Sequence, residues 1–198
     1  NQDKFIMNMV NYIKKNNLMN DKEIMGVLYG HICHYVMDDM IHPLVRKIDK
    51  ECTKNKHNHT LIEEYYDNYL VNKRFNISKR EYLSKKILKG KVNKKIGKMI
   101  DYVYMDTYNT DNVSKYYKFN LILYRLLRRV YLLFNNNLIE KITGLNNFLK
   151  VNKDIDLFND NNKIKYKDYL KNDCNDSLIM LYDDCVDRAI QYISKINK

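Results

Sequence analysis

Apolar residues along this chain recur mostly at steps of three and four, the spacing that puts them on one side of an α-helix. Phe5, Met9, Val10 and Ile13 share such a side, which predicts a helix over about Lys4–Lys15, ended by Asn16 and Asn17. A second helix starts after Asn20 or Asp21, both suited to capping, and runs to Pro43. Its last one or two residues are expected to leave helical geometry, because the position before a proline disfavours it. The polar linker Lys47–Asn58 leads to a third helix near His59–Val71, and Ser78-Lys79-Arg80-Glu81 reads as a capping box opening a fourth. A fifth helix is expected over Lys94–Tyr104 and a sixth over Val113–Phe134. A loop rich in Asn and Asp, Asn146–Asn162, precedes the last helix, Ser177–Ile196. With five Gly and one Pro in 198 residues, breakers are few. The expectation is an all-α chain, a multi-helix bundle forming a single domain over residues 1–198, without internal repeats.

The second helix carries an unusual stripe. All five histidines lie between positions 31 and 59, interleaved with carboxylates: His31, His34, Asp38 and His42, then His57, His59, Glu63 and Asp67. At 100° per residue, His31, His34, Asp38 and His42 fall within about 80° of one another on the helical wheel. Most other positions from Ile24 to Met40 are apolar or small, which predicts a buried helix. A polar stripe on a buried helix must be satisfied internally, and a metal ion does this well. Imidazole and carboxylate are zinc ligands.

Spacing refines that reading. His34 and His42 are separated by about 12 Å of helical rise, too far to share one ion unless the helix unwinds, which argues for more than one metal. His59 and Glu63 stand at i, i+4. With His42 they make a two-histidine, one-glutamate set with a coordination position left for water, a catalytic rather than structural pattern. Other readings compete. Thr60 and Glu63 match a capping box, His31 suits a satisfied core histidine, and His57 and His59 suit a loop.

Charge and cysteines add less. The formal net charge is +11, which favours anionic partners such as nucleic acid, an acidic membrane face or a phosphate-bearing substrate. Lys85, Lys86, Lys89, Lys91, Lys94, Lys95 and Lys98 concentrate the excess, and a solvated helix face accounts for such a run. Cys33, Cys52, Cys174 and Cys185 form no C-x-x-C pair; reduced, buried thiols are expected, pointing weakly to the cytoplasm. Arg125, Arg128 and Arg129 interrupt the most apolar region, so no membrane span is expected, although peripheral contact with a membrane is compatible. No signal peptide is visible, and the chain begins at Asn1. Oligomeric state is not legible.

The run Gly30-His31-Ile32-Cys33-His34-Tyr35-Val36-Met37-Asp38-Asp39-Met40-Ile41-His42-Pro43 resembles the core of the zinc-dependent phospholipase C family, in which a His-Tyr-x-x-Asp helix runs on to His-Pro. His59-x3-Glu63 and the following Asp67 resemble that family's second motif helix. The resemblance implies an all-α fold of the phospholipase C and single-strand nuclease type. It implies between one and three zinc ions and a zinc-bound hydroxide that hydrolyses phospholipid phosphodiesters. By position, His34 and Asp38 would belong to one zinc site, and His42, His59 and Glu63 to another; His31, His57 and Asp67 are further candidate ligands. The family also places ligands ahead of this helix, including a Gly-Pro-Asp-like segment. Nothing before His31 is a histidine, so the expectation is either a missing amino-terminal segment or a reduced site. A nuclease acting on single-stranded nucleic acid, or a degenerate non-catalytic zinc protein that contacts a membrane or partner, are the alternatives.

Overall fold

In the computed structural model, residues 2–52, 59–77, 81–82, 92–133 and 163–197 are described. Among them are six α-helices: α1 Gln2–Lys15, α2 Lys22–Lys47, α3 His59–Phe75, α4 Lys94–Tyr108, α5 Val113–Leu133 and α6 Leu178–Ile196. Two short strands, β1 Ile164–Lys167 and β2 Asp173–Asp176, pair antiparallel ahead of α6. Contacts gather the chain into two compact units, one of Asn1–Val36, Leu88–Leu127 and Val186–Lys198, the other of Met37–Ile87 and Arg128–Cys185.

In the first unit α1 packs on α4 through the apolar positions expected of it: Met9 and Ile13 are buried against a core that includes Met99 and Val103. Side chains such as Ile13 and Leu28, fully withdrawn from water, stabilise the fold by about 1.5–3 kcal/mol each. Asn17, at φ 55°, ends α1 in the left-handed conformation that Asn tolerates. Asp21 caps α2, its Oδ1 accepting from the backbone N–H of Glu23 at 3.1 Å and Ile24 at 3.3 Å. The Lys95 ammonium, 2.9 Å from Asp21 Oδ2, holds that carboxyl below the ordinary aspartate range. Asn93 caps α4 through Ile96 N at 2.9 Å, and Asn109 closes it at φ 54°. Helix α5 approaches α4 at Gly97, where a Cβ would lie 3.4 Å from Ser114 Cβ; Ser114 donates through N and Oγ to Asp101, each at 2.8 Å.

The second unit is built on the far half of α2. Ile41, Leu44, Val45 and Ile48 are buried with Ile62 and Tyr66 of α3 and with Leu178, Ile179 and Leu181 of α6. The Tyr66 hydroxyl donates to the Leu178 carbonyl, and burial raises its pKa. Ser177 caps α6, its Oγ accepting from Met180 N at 3.3 Å.

Three sequence expectations need correction. Helix α2 does not stop at Pro43: it continues to Lys47 and passes into a π-helical turn, Ile48–Cys52. Proline's fixed φ suits a helix, and its ring removes one intrahelical bond, the one to the Asp39 carbonyl. Burial of Leu44, Val45 and Ile48 on the far side of the proline offsets that loss. Helix α2 is also buried along one side only, with Ile24, Leu28, Ile32 and Val36 inside while Cys33, His34 and Met37 are exposed. Cysteine burial follows suit: Cys185 is buried, Cys174 is half-buried and Cys33 is exposed.

The chain is predominantly helical, as the periodicity indicates, with the small hairpin as an addition the sequence reading did not contain. Its strands are four residues each, too short for alternation to stand out, and the turn is held by Asp168, which accepts from Asn172 N at 2.8 Å. Among the described residues no helix is long and apolar enough to cross a membrane. His57, Lys85, Lys86, Lys89, Lys91, most of the capping box at Ser78 and the Asn146–Asn162 loop lie outside the described residues.

Candidate metal centre

Two helices meet at the candidate site. Helix α2 carries Asp38 and His42 one turn apart on one face, and the first turns of α3 carry His59 and Glu63 in the same relation. Burial of Ile41 and Val45 on α2 and of Ile62 and Tyr66 on α3 fixes both helices against a common core. The polar residues interleaved with these core positions are thereby brought side by side.

His42 Nε2 lies 3.2 Å from Glu63 Oε1, and His59 Nε2 lies 3.0 Å from the same oxygen. The two imidazole rings are 5.2 Å apart between centroids and inclined by 31°. One ligand atom from each of His42, His59 and Glu63 lies within 4.8 Å of the other two. Ligand atoms on a tetrahedral zinc stand about 3.3 Å apart, so small side-chain rotations would bring the three donors to coordination distance. The His42, His59 and Glu63 side chains are 25%, 34% and 45% exposed, so each keeps contact with water. Among the described residues three donors are brought together, and a tetrahedral zinc held by three protein ligands keeps one position for a water or a substrate oxygen. The donor set fits zinc or a similar borderline cation better than calcium or magnesium, which take oxygen ligands.

Asp38 occupies a different place. Its Oδ1 is 3.7 Å from His42 Nδ1, within ion-pair range but beyond a hydrogen bond. It faces the ring nitrogen opposite the one directed at Glu63. A carboxylate there favours the Nδ1–H tautomer, which leaves the Nε2 lone pair free for a metal. Helix α3 is described from His59, so Thr60 lies within it rather than at its cap, and Glu63 Oε1 faces the two imidazoles.

The other sequence candidates fall elsewhere. His31 Nδ1 lies 2.9 Å from the Val27 carbonyl one turn back, and its ring packs 5.5 Å from Phe5, the environment of a satisfied core histidine. His34 is exposed on α2, about 12 Å of helical rise from His42, and Asp67 is exposed on α3. Neither joins the converging group, and among the described residues no second group of three metal-ligating side chains converges. His57 lies outside the described residues. Of the lysine run, Lys95 is engaged with Asp21, on α4 in the first unit. The placement of Asp38 on the Nδ1 side of His42 was hidden in the sequence, because i, i+4 spacing places it beside His42 without saying which ring nitrogen it faces. Comparison with protein-family models, with curated proteins and with solved structures finds no match to this chain.

Proposed function

We propose that this chain is a zinc-dependent phosphodiester hydrolase of phospholipase C-like chemistry, with His42, His59 and Glu63 as its metal ligands. The observation that carries the reading is the convergence of one ligand atom each from His42, His59 and Glu63 within 4.8 Å, on side chains that are all partly exposed. When bound there, zinc supplies a water of lowered pKa, near 7, and Lewis-acid polarisation of a phosphoryl oxygen.

The chain's own residues do the rest. Glu63 presents one oxygen between the two rings and neutralises part of the charge the ligand set collects. Asp38, on the Nδ1 side of His42, would favour the Nδ1–H tautomer that a metal at Nε2 requires. Ile62 and Tyr66, buried beneath the first turns of α3, fix the positions of His59 and Glu63, since ligand placement to within about half an ångström matters for such sites.

The test is hydrolysis by the full chain, with zinc present and after chelation. Release of phosphocholine from phosphatidylcholine supports the proposal. Digestion of single-stranded DNA or RNA instead reassigns the substrate to nucleic acid, a reading the +11 charge favours. Zinc uptake with activity on neither substrate points to a non-catalytic zinc protein.

A further inference from the structure

The strand β1 has a simple alternation: Tyr166 points inward and is buried, while Lys165 and Lys167 on either side of it are exposed on the opposite face. Tyr166 is anchored by its hydroxyl, 3.1 Å from Asp176 Oδ2 on the partner strand, so the two lysines are presented by a fixed element. Opposite them, the end of α2 and the π-helical turn supply Arg46, Lys47 and Lys50. Between these walls lies a cleft of about 690 Å³. Among the described residues that line it, Arg46, Lys47, Lys50, Lys165 and Lys167 are cationic and Asp173, which pairs with Lys167 at 2.9 Å, is acidic; Tyr166 of β1 lines it too. The Arg46 guanidinium stands over the Tyr169 ring, 5.4 Å from its centroid, which limits the orientations it samples.

Ordinary protein surfaces intersperse the two signs of charge; a concavity walled by one sign focuses the potential and concentrates ions of the other. The volume is that of a small-ligand pocket and too small for a nucleic acid duplex. We infer that this cleft binds a compact ligand bearing several phosphate charges, either free or as a lipid headgroup. Pro43, which lines it, directly follows His42, and Arg46 lies one turn beyond His42 on the same face of α2, about 6 Å along the axis. The cleft thus includes residues within a turn of the candidate ligand His42 on α2. That the bound group belongs to the substrate rests on the hydrolase proposal, whereas binding itself does not.

The test is calorimetric titration of the full, metal-free chain with inorganic tripolyphosphate, at low and at physiological salt. Two double variants, Lys165→Ala with Lys167→Ala and Arg46→Ala with Lys50→Ala, are expected to weaken binding on the order of tenfold each. Lys94→Ala with Lys98→Ala removes the same charge from α4 and is expected to change binding by less than about twofold. These side chains lie at the surface, and circular dichroism checks that each variant keeps its helix content. In a parallel arm, phosphatidylcholine vesicles with and without phosphatidylinositol bisphosphate show whether a headgroup enters the cleft, by loss of vesicle binding in the same two variants.

Specific loss in either arm supports the inference and identifies the source of the phosphate. Failure of the wild-type chain to bind either probe overturns it, as does equal weakening in the α4 control. Binding of a single-stranded oligonucleotide through these lysines, without tripolyphosphate or vesicle binding, also overturns it. Zinc uptake, measured separately, distinguishes the two proposals: tripolyphosphate binding without zinc uptake leaves the cleft standing and removes the metal site.

Discussion

Replacing Asp38 with Asn tests the division of labour at the candidate metal centre. Asparagine keeps an acceptor oxygen and nearly the same shape, so the substitution removes chiefly the negative charge. That charge sits 3.7 Å from His42 Nδ1, on a carboxylate side chain 30% exposed beside an imidazole 25% exposed. At this distance two unit charges interact by about 1 kcal/mol in water and about 4.5 kcal/mol at an effective dielectric constant of 20. Partial exposure and the spread of imidazole charge on metal binding place the effect near the lower end, about 1.4 kcal/mol, or tenfold in zinc affinity. This agrees with the tenfold to hundredfold range found for carboxylates that orient metal-bound histidines. Zinc affinity, measured by competition with a chromogenic chelator at fixed pH, is expected to fall by that amount while one zinc still binds per site. Complete loss of zinc, equal to that of Glu63→Ala, would make Asp38 a direct ligand. A change smaller than about twofold would mean that it does not orient the ring.

Other outcomes follow from the packing and the caps. Ile62→Ala, at a fully buried position beneath the candidate ligands on α3, is expected to lower unfolding free energy by about 2–5 kcal/mol in urea denaturation. A loss under 1 kcal/mol would show that the core of the second unit is not formed as described. Asp21→Asn keeps the cap acceptor but loses the pairing with Lys95. Because the carboxyl is held below its ordinary range in the folded chain, the pair's stabilisation is present above the unfolded pKa and disappears as pH falls through the folded one. The variant should therefore melt below wild type at neutral pH and match it in strong acid; a difference that persists in acid contradicts the pairing. His31→Gln is expected to leave zinc affinity within about twofold, since His31 is occupied by Val27 and Phe5; loss of zinc would return it to the ligand set.

Much of the helical framework was legible because its signals are local. Asn17 ends α1 in the left-handed conformation that Asn tolerates, and Asp21 and Ser177 cap helices with short polar side chains; the expected end of α4 at Tyr104 fell short, because the helix runs to Tyr108 and closes at Asn109. The continuation through Pro43 was not legible, because the gain that outweighs the lost hydrogen bond comes from burying Leu44, Val45 and Ile48 against residues distant in sequence. The hairpin escaped for a similar reason: Tyr166 is drawn inward by tertiary packing, and four residues give too short a pattern to read. The grouping of His42 with His59 and Glu63 could be posed from i, i+4 spacing on two helices. The basic cleft could not, since Lys165 and Lys167 meet Arg46 and Lys50 only through the fold. The lysines and arginine that line the cleft look unremarkable one by one in the sequence.

The central claim, that His42, His59 and Glu63 hold a zinc ion, is tested most directly by counting zinc per chain by mass spectrometry. The protein would be dialysed against zinc and then against metal-free buffer, wild type beside His42→Ala. The account predicts at least one zinc per wild-type chain, and loss of the ion at this site in His42→Ala with helix content retained. A wild-type chain that keeps no zinc, or a His42→Ala chain that keeps as much as wild type, would contradict it.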